Sequence, residues 1–302
     1  MRTRVWLPGA AWSFACATQL WAQAPLTYEQ LRALEAPPPT HRISYGASPL
    51  QFANLRLPKG AGPHQVVVFI HGGCYLSQYP IGHVAALEQA FADSGYAVWS
   101  IEYRRQGDPG GGWPETFRDV GVAADHLRTL AETHRLDLSR VVAAGHSVGA
   151  NFALWLTVRD RIRNDSPLYV ERPAKIHGVL GLAPAPDLAA LHAQGVCGRV
   201  MDSVMGGSPE RFPERYRDVS PAMLLPIPVP QILLVGALDR SWGPRGRAYH
   251  ALAVAAGDSL ARLEEAPAAG HFDLVAPPTT TWPFVMDALR ALFRRITGEG
   301  RR

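Results

Sequence analysis

Short, unbroken apolar runs punctuate the chain at intervals. "VVVFI" (66–70), "AVWSI" (97–101), "RVVAA" (140–144), "HGVLGL" (177–182) and "QILLVG" (231–236) do not alternate with polar residues. That is the pattern of strands buried on both faces. Between the runs lie stretches of helical periodicity: "GHVAALEQAFADSG" (82–95), "PETFRDVGVAADHLRTLAETH" (114–134), "PRGRAYHALAVAAG" (244–257) and "PFVMDALRALFRRITG" (283–298). They open on proline or close on glycine, as helices do. Strands alternating with helices predict an α/β protein with a mostly parallel, doubly wound sheet. Proline-rich punctuation is confined to "APPPT" (36–40) and "PAMLLPIPVP" (221–230), and no repeat or long linker divides the chain. A single domain over residues 25–302 follows.

Composition agrees with a packed fold: of 302 residues, 47% are hydrophobic and 19% charged, too apolar for a mostly disordered chain. The net charge is +4, but Arg2 and Arg4 contribute two of those charges. With no basic cluster elsewhere to track a phosphate backbone, nucleic acid is not an expected partner.

Residues 1–24, "MRTRVWLPGAAWSFACATQLWAQA", have a basic start, an apolar middle and an alanine-rich end. This reads as an export signal, cleaved after Ala24, Ala22 or Ala17, and places the mature protein in the periplasm or outside the cell. No later apolar run reaches the roughly 18 to 20 residues of a membrane span.

The chemistry is concentrated in "RVVAAGHSVGANFALWL" (140–156), where Gly145 and Gly149 flank Ser147 at a strand-to-helix junction. A G-x-S-x-G turn in this setting lifts a serine hydroxyl to the carboxyl edge of the sheet. A hydroxyl needs a base to become a nucleophile. His271, in "EEAPAAGHFDL", follows the last apolar segment on a loop free to reach that edge, whereas His146 is expected to point away from Ser147. The base needs a carboxylate to fix its tautomer. Asp239, directly after "QILLVG", is the first choice and Asp187, one strand earlier, the second; Asp273 belongs to the histidine loop. "VVVFIHGGCY" (66–75) supplies donors for an oxyanion through the backbone N–H groups of Gly72 and Gly73, joined by that of Val148.

"HGGCY", "IEYRRQGDPGGGWPETFRDV", "GHSVGAN", "VGALD" and "GHFDL" occur in an order that resembles the α/β-hydrolase superfamily, and within it the HGG-type carboxylesterases and lipases with their kynurenine formamidase relatives. The resemblance spans residues 45–295. It implies an α/β-hydrolase fold with a small cap between Asp187 and Met205, a Ser147–Asp239–His271 triad, and Gly72, Gly73 and Val148 as oxyanion donors. A cysteine and a tyrosine follow "HGG" where formamidases usually carry an aromatic pair or tryptophan, and the third glycine of many lipases is missing.

"GDPGGGWP" (107–114) is expected to cover the site, with Tyr75, Trp113 and Leu191 lining an apolar pocket. Glu102 with Arg104 or Arg105, and Asp119, read as ion-paired support beneath that loop. Once the leader is removed only Cys74 and Cys197 remain. Both fall at the carboxyl edge of the sheet, and a disulfide between them would tie the cap to the oxyanion loop. The function expected is an exported serine hydrolase of carboxylic esters, acting on a small molecule without metal or organic cofactor. An arylformamidase or a serine peptidase-type hydrolase is the alternative. A non-catalytic binding protein on the same scaffold is disfavoured, because such proteins lose part of the triad or the elbow and this chain keeps both.

Overall fold

The computed structural model describes residues 24–298; the leader read in residues 1–24 therefore lies, but for its last residue, outside them. The described residues start with helix α1 (Tyr28–Arg32), strands β1 (His41–Ser44), β2 (Phe52–Arg56) and β3 (His64–Ile70), then α2 (Ala85–Asp93) and β4 (Ala97–Ile101). Helices α3 (Glu115–Asp125) and α4 (Leu127–Leu130) lead to β5 (Leu136–His146), α5 (Val148–Leu156) and β6 (Gly178–Leu182). After α6 (Leu188–Ala193), α7 (Val200–Met205) and α8 (Pro213–Val219) come β7 (Gln231–Gly236), α9 (Gly243–Ala255), β8 (Ala261–Ala266) and α10 (Trp282–Thr297).

The strands form one eight-stranded sheet in the order β1-β2-β4-β3-β5-β6-β7-β8. Pairing is antiparallel at β1–β2 and β2–β4 and parallel from β4 onward. This is the α/β-hydrolase fold. All five unbroken apolar runs are strands, and they are the central ones: Val66 to Ile70, Val142 to Ala144 and Ile232 to Val235 are fully buried. Helix α5 packs on β3, β5 and β6, while α10 packs on β5, β6 and β7.

Three strands escaped the sequence pattern: β2, "FANLR", whose apolar run is interrupted by Asn54 and Arg56, and the two edge strands β1 and β8. Strand β1, "HRIS", is largely exposed, and β8, "ARLEEA", places Arg262, Glu264 and Glu265 on the far rim. Charged edges of this kind discourage sheet-to-sheet association, and they erase the apolar run by which a strand is recognised. Within the 114–134 stretch the helix breaks at His126, giving α3 and α4.

The segment between β6 and β7 folds as a cap of three short helices, α6, α7 and α8. Leu188, Leu191, Val200, Met201, Val204 and Met205 turn its apolar side to the body. Cys197, between α6 and α7, is bonded to Cys74, so the cap is tied to the loop that follows β3. Among the described residues no helix is long and apolar enough to cross a membrane.

The bonded cysteines are 123 residues apart in sequence. Closing so long a loop is worth up to about 4 to 5 kcal/mol when the stabilisation comes from restricting the unfolded chain. A Cys74→Ser/Cys197→Ser protein should therefore lose several kcal/mol in urea unfolding. A loss below about 1 kcal/mol would show that the bond does not constrain the unfolded ensemble.

Candidate active site

Three loops at the carboxyl ends of β3, β5 and β7 and a fourth after β8 converge on Ser147. The serine occupies a turn with φ 58° and ψ −124°, a region that side chains rarely enter. Its geometry is imposed by main chain on either side. A Cβ on Gly145 would lie 2.2 Å from the Gly149 carbonyl oxygen, and one on Gly149 would lie 2.1 Å from that of Ile70. Strand, helix and neighbouring strand thus pass with no space for side chains at those two positions. The Ser147 N–H is held by the carbonyl of Leu182 at 2.8 Å.

His271, on the loop after β8, donates from Nδ1 to Asp239 Oδ2 at 2.7 Å. This fixes its tautomer, so Nε2 carries the lone pair. Asp239 Oδ1 accepts from the backbone N–H groups of Ser241 (3.1 Å) and Trp242 (2.8 Å). Burial pushes the Asp239 carboxyl pKa up, but the His271 hydrogen bond and charge and the two N–H groups outweigh it and hold it below the usual range. The alternative acid, Asp187, is occupied elsewhere: it is the N-cap of α6, accepting from Ala190 N at 3.0 Å. Asp273 accepts from Gly270 N at 2.9 Å and supports the histidine loop from within.

The oxyanion loop presses directly on the serine. A Cβ on Gly72 would come within 2.9 Å of Ser147 Cβ, and Gly73 adopts φ 115°. Val148 is the first residue of α5, so its N–H has no intrahelical acceptor. Behind this loop stands a buried polar network. Glu102 accepts from His71 Nε2 (3.0 Å), from Ile81 N (2.9 Å) and from Tyr103 N (3.0 Å), and pairs with Arg105 at 3.3 Å. Burial raises its pKa, yet His71, Arg105 and the N–H donors win and keep it depressed. The Tyr103 hydroxyl then donates to the His71 carbonyl at 3.0 Å. The Arg104–Asp119 pair, at 2.7 Å, completes the ion-paired support expected under the 107–114 loop.

Ser147 and His271 line one cavity of about 170 Å³, with Gly73 and Cys74 on the oxyanion side. The remaining wall is aromatic: Tyr28, Tyr79, His83, His146, Trp242 and Phe272. The three residues assigned to the pocket from sequence are not in this wall. Tyr75 and Leu191 border a space beyond the disulfide that is too small for water, shared with the cap residues Val196, Val200 and Met201. Trp113 is drawn to the cap instead, its backbone N–H donating to the Val204 carbonyl at 2.7 Å and its ring against Phe117 and Arg215. The 107–114 loop contributes no residue to the cavity.

His146 departs from expectation in the other direction. Its ring lies 4.4 Å from that of His271, centroid to centroid, and its Nε2 donates to the His271 carbonyl at 3.0 Å. Burial, and then the nearby His271, hold its pKa far below the ordinary histidine value, so it is a neutral strut for the histidine loop. His83 on the cavity wall is likewise kept neutral, its pKa lowered to about 4 chiefly by burial. Sequence spacing alone could not show that a strand-end histidine turns toward the site.

The depressed Asp239 pKa has a direction that can be measured. A carboxylate whose folded pKa lies below its unfolded value of roughly 3.9 adds stability above that value and loses it as pH falls through the folded pKa. The stability difference between wild type and Asp239→Asn should be fully present at neutral pH and shrink below about pH 3.9. A difference that stays constant from pH 7 to pH 3 would contradict the assignment.

Comparison with known proteins agrees with this geometry. The model of the BD-FAE family matches residues 54–241, more than half of the chain. Esterase B from Lactobacillus rhamnosis shares the fold at a TM-score of 0.73 and 18% identity, over 89% of this chain and 90% of that one. Thermogutta terrifontis esterase 2, in a structure phosphorylated by paraoxon, matches at 0.67 and 16% identity over 87% and 97%. A bifunctional GH43-CE protein of Bacteroides eggerthii matches at 0.65 and 18% identity over 85% of this chain but 37% of its own, so the present chain spans little more than a third of that protein. A comparison with curated proteins found no match. With the family's sequence pattern running from β2 to the acid after β7, and the eight-stranded sheet around it, the chain belongs to the BD-FAE family of α/β-hydrolases.

Proposed function

We propose that this protein is an exported serine hydrolase that cleaves carboxylic esters through an acyl-enzyme on Ser147. The observation that carries the reading is the 2.7 Å hydrogen bond from His271 Nδ1 to Asp239, which leaves Nε2 as a base in the cavity it shares with Ser147. His271 Nε2 takes the Ser147 hydroxyl proton as Oγ attacks the ester carbonyl. Negative charge developing on the carbonyl oxygen is received by the N–H groups of Gly72, Gly73 and Val148, at the N-terminus of α5. Collapse of the tetrahedral intermediate expels the alcohol, which takes its proton from His271. Water, deprotonated by His271 in turn, attacks the acyl-enzyme and releases the acid and free Ser147 Oγ–H. Family membership and the esterases among the structural neighbours support ester substrates.

Export rests on the leader sequence. Leu26 N–H is bonded to Asp273 at 3.2 Å and Leu31 is in the core, and both lie after every cleavage position read in the leader.

Ser147→Ala and His271→Ala should each lower turnover of a short acyl ester by roughly 10⁶-fold, and Asp239→Asn by about 10⁴-fold, with the fold retained. Asp187→Asn should leave turnover near wild type, since Asp187 caps α6. A fluorophosphonate probe should label Ser147; a folded Ser147→Ala protein that still hydrolysed esters would overturn the mechanism. In the native host, intact mass should place the mature N-terminus between Thr18 and Pro25, and a bulk protein retaining Met1 or Arg2 would remove the case for export.

A further inference from the structure

The segment at the start of the described residues forms part of the cavity that holds Ser147 and His271. It is fastened on both sides of Tyr28. On one side Leu26 N–H donates to Asp273 Oδ2 at 3.2 Å, an oxygen that also accepts from Gly270 N–H, and Pro25 sits so close that a Cβ on Gly270 would be 2.4 Å from Pro25 Cβ. On the other, Thr27 and Gln30 close a reciprocal capping box and Leu31 is buried in the core. Between these anchors the Tyr28 ring meets Tyr79 edge-on at 5.0 Å and Phe272 at 5.9 Å, on the wall of the cavity.

The chemistry gives this wall a side. The leaving oxygen is the one protonated by His271, so the group attached to it must rest among the neighbours of His271. Phe272 is 5.1 Å from the His271 ring, and Tyr28 stands next to Phe272. Toward the cap, by contrast, the space beyond the disulfide has no room for a water molecule. Aromatic rings gain from edge and face contacts with other rings beyond the area they bury.

Resting on the ester-hydrolase reading above, we infer that Tyr28 is a specificity-determining residue: with Tyr79 and Phe272 it forms an aromatic wall for the leaving group, favouring esters of phenols over those of short alkyl alcohols. The selection acts at acylation, because the leaving group has gone before the acyl-enzyme is hydrolysed. It therefore enters kcat/KM and not the deacylation step.

The test compares phenyl acetate with ethyl acetate, which yield the same acetyl-enzyme. Tyr28→Ala should lower the ratio of kcat/KM for phenyl over ethyl ester by about tenfold, and Tyr28→Phe should restore it, the ring being retained. If the segment merely steadied the His271 loop, both esters would lose equally and the ratio would stand, which overturns the inference. A second measurement is independent of turnover. Phenyl acetate titrated into the Ser147→Ala protein, followed by tryptophan fluorescence, should bind about tenfold more weakly when Tyr28→Ala is added, and equal affinities would again overturn it. A wild-type protein that binds phenyl acetate with this Tyr28 dependence yet hydrolyses no ester would count against the hydrolase reading and support the wall.

Discussion

The site depends on a crossing of three backbones. Strand β5, helix α5 and the end of β3 meet where Gly145 and Gly149 leave no space for a Cβ. The chain can turn there only by placing Ser147 in a strained conformation, which costs on the order of 1 to 3 kcal/mol. The buried surroundings over-determine that turn. Every residue of α5 is buried, and β5 is paired with a strand on either side, so relaxing the serine would mean unpacking the centre of the sheet. The strain is a consequence of the packing, and it raises the hydroxyl above the sheet edge.

Around that fixed point the other groups arrive because parallel strands end at one edge. Strand β3 runs directly beside β5 and delivers Gly72 and Gly73; β7 and β8 deliver Asp239 and His271 two and three strands away. What keeps these loops in place is polar. Removing one partner from a buried pair such as Glu102–Arg105 leaves an uncompensated charge, so networks of this kind specify position more than they add stability. Glu102 fixes the oxyanion loop through His71 and Ile81, while His146 and Asp273 hold the histidine loop through its own main chain. The cap is joined to the loop after β3 by a covalent bond to Cys74, and the N-terminal segment adds Tyr28 to the cavity wall.

Much of this was legible in the residues themselves. Unbroken apolar runs marked the five central strands, since a strand buried on both faces has no polar side to show. The G-x-S-x-G turn, the loop histidine, the strand-end aspartate and the paired glycines after β3 could be picked out from short motifs because each is a local pattern: a tight turn, a strand end, a loop of small residues. The Cys74–Cys197 pairing followed from counting two cysteines that both belong to the same sheet edge. Each of these inferences uses only neighbours in sequence and the rule that parallel strands end together.

The tertiary structure alone decided what surrounds the reacting atoms. Edge strands β1 and β8 carry charge in place of an apolar run, so their pairing is set by the sheet they join. The cavity wall draws Tyr28 from α1, Tyr79 from the loop after β3, Trp242 from the start of α9 and Phe272 from the histidine loop. Their sequence separations contain no hint of contact. Tyr75, Trp113 and Leu191 have the right character for a pocket, but the cap takes them into its own packing. Sequence determines which chemistry a segment can carry, because that is written in its side chains and local geometry. Which aromatic side chains share a cavity depends on how distant segments fill space together, and that is fixed only when the whole chain has packed.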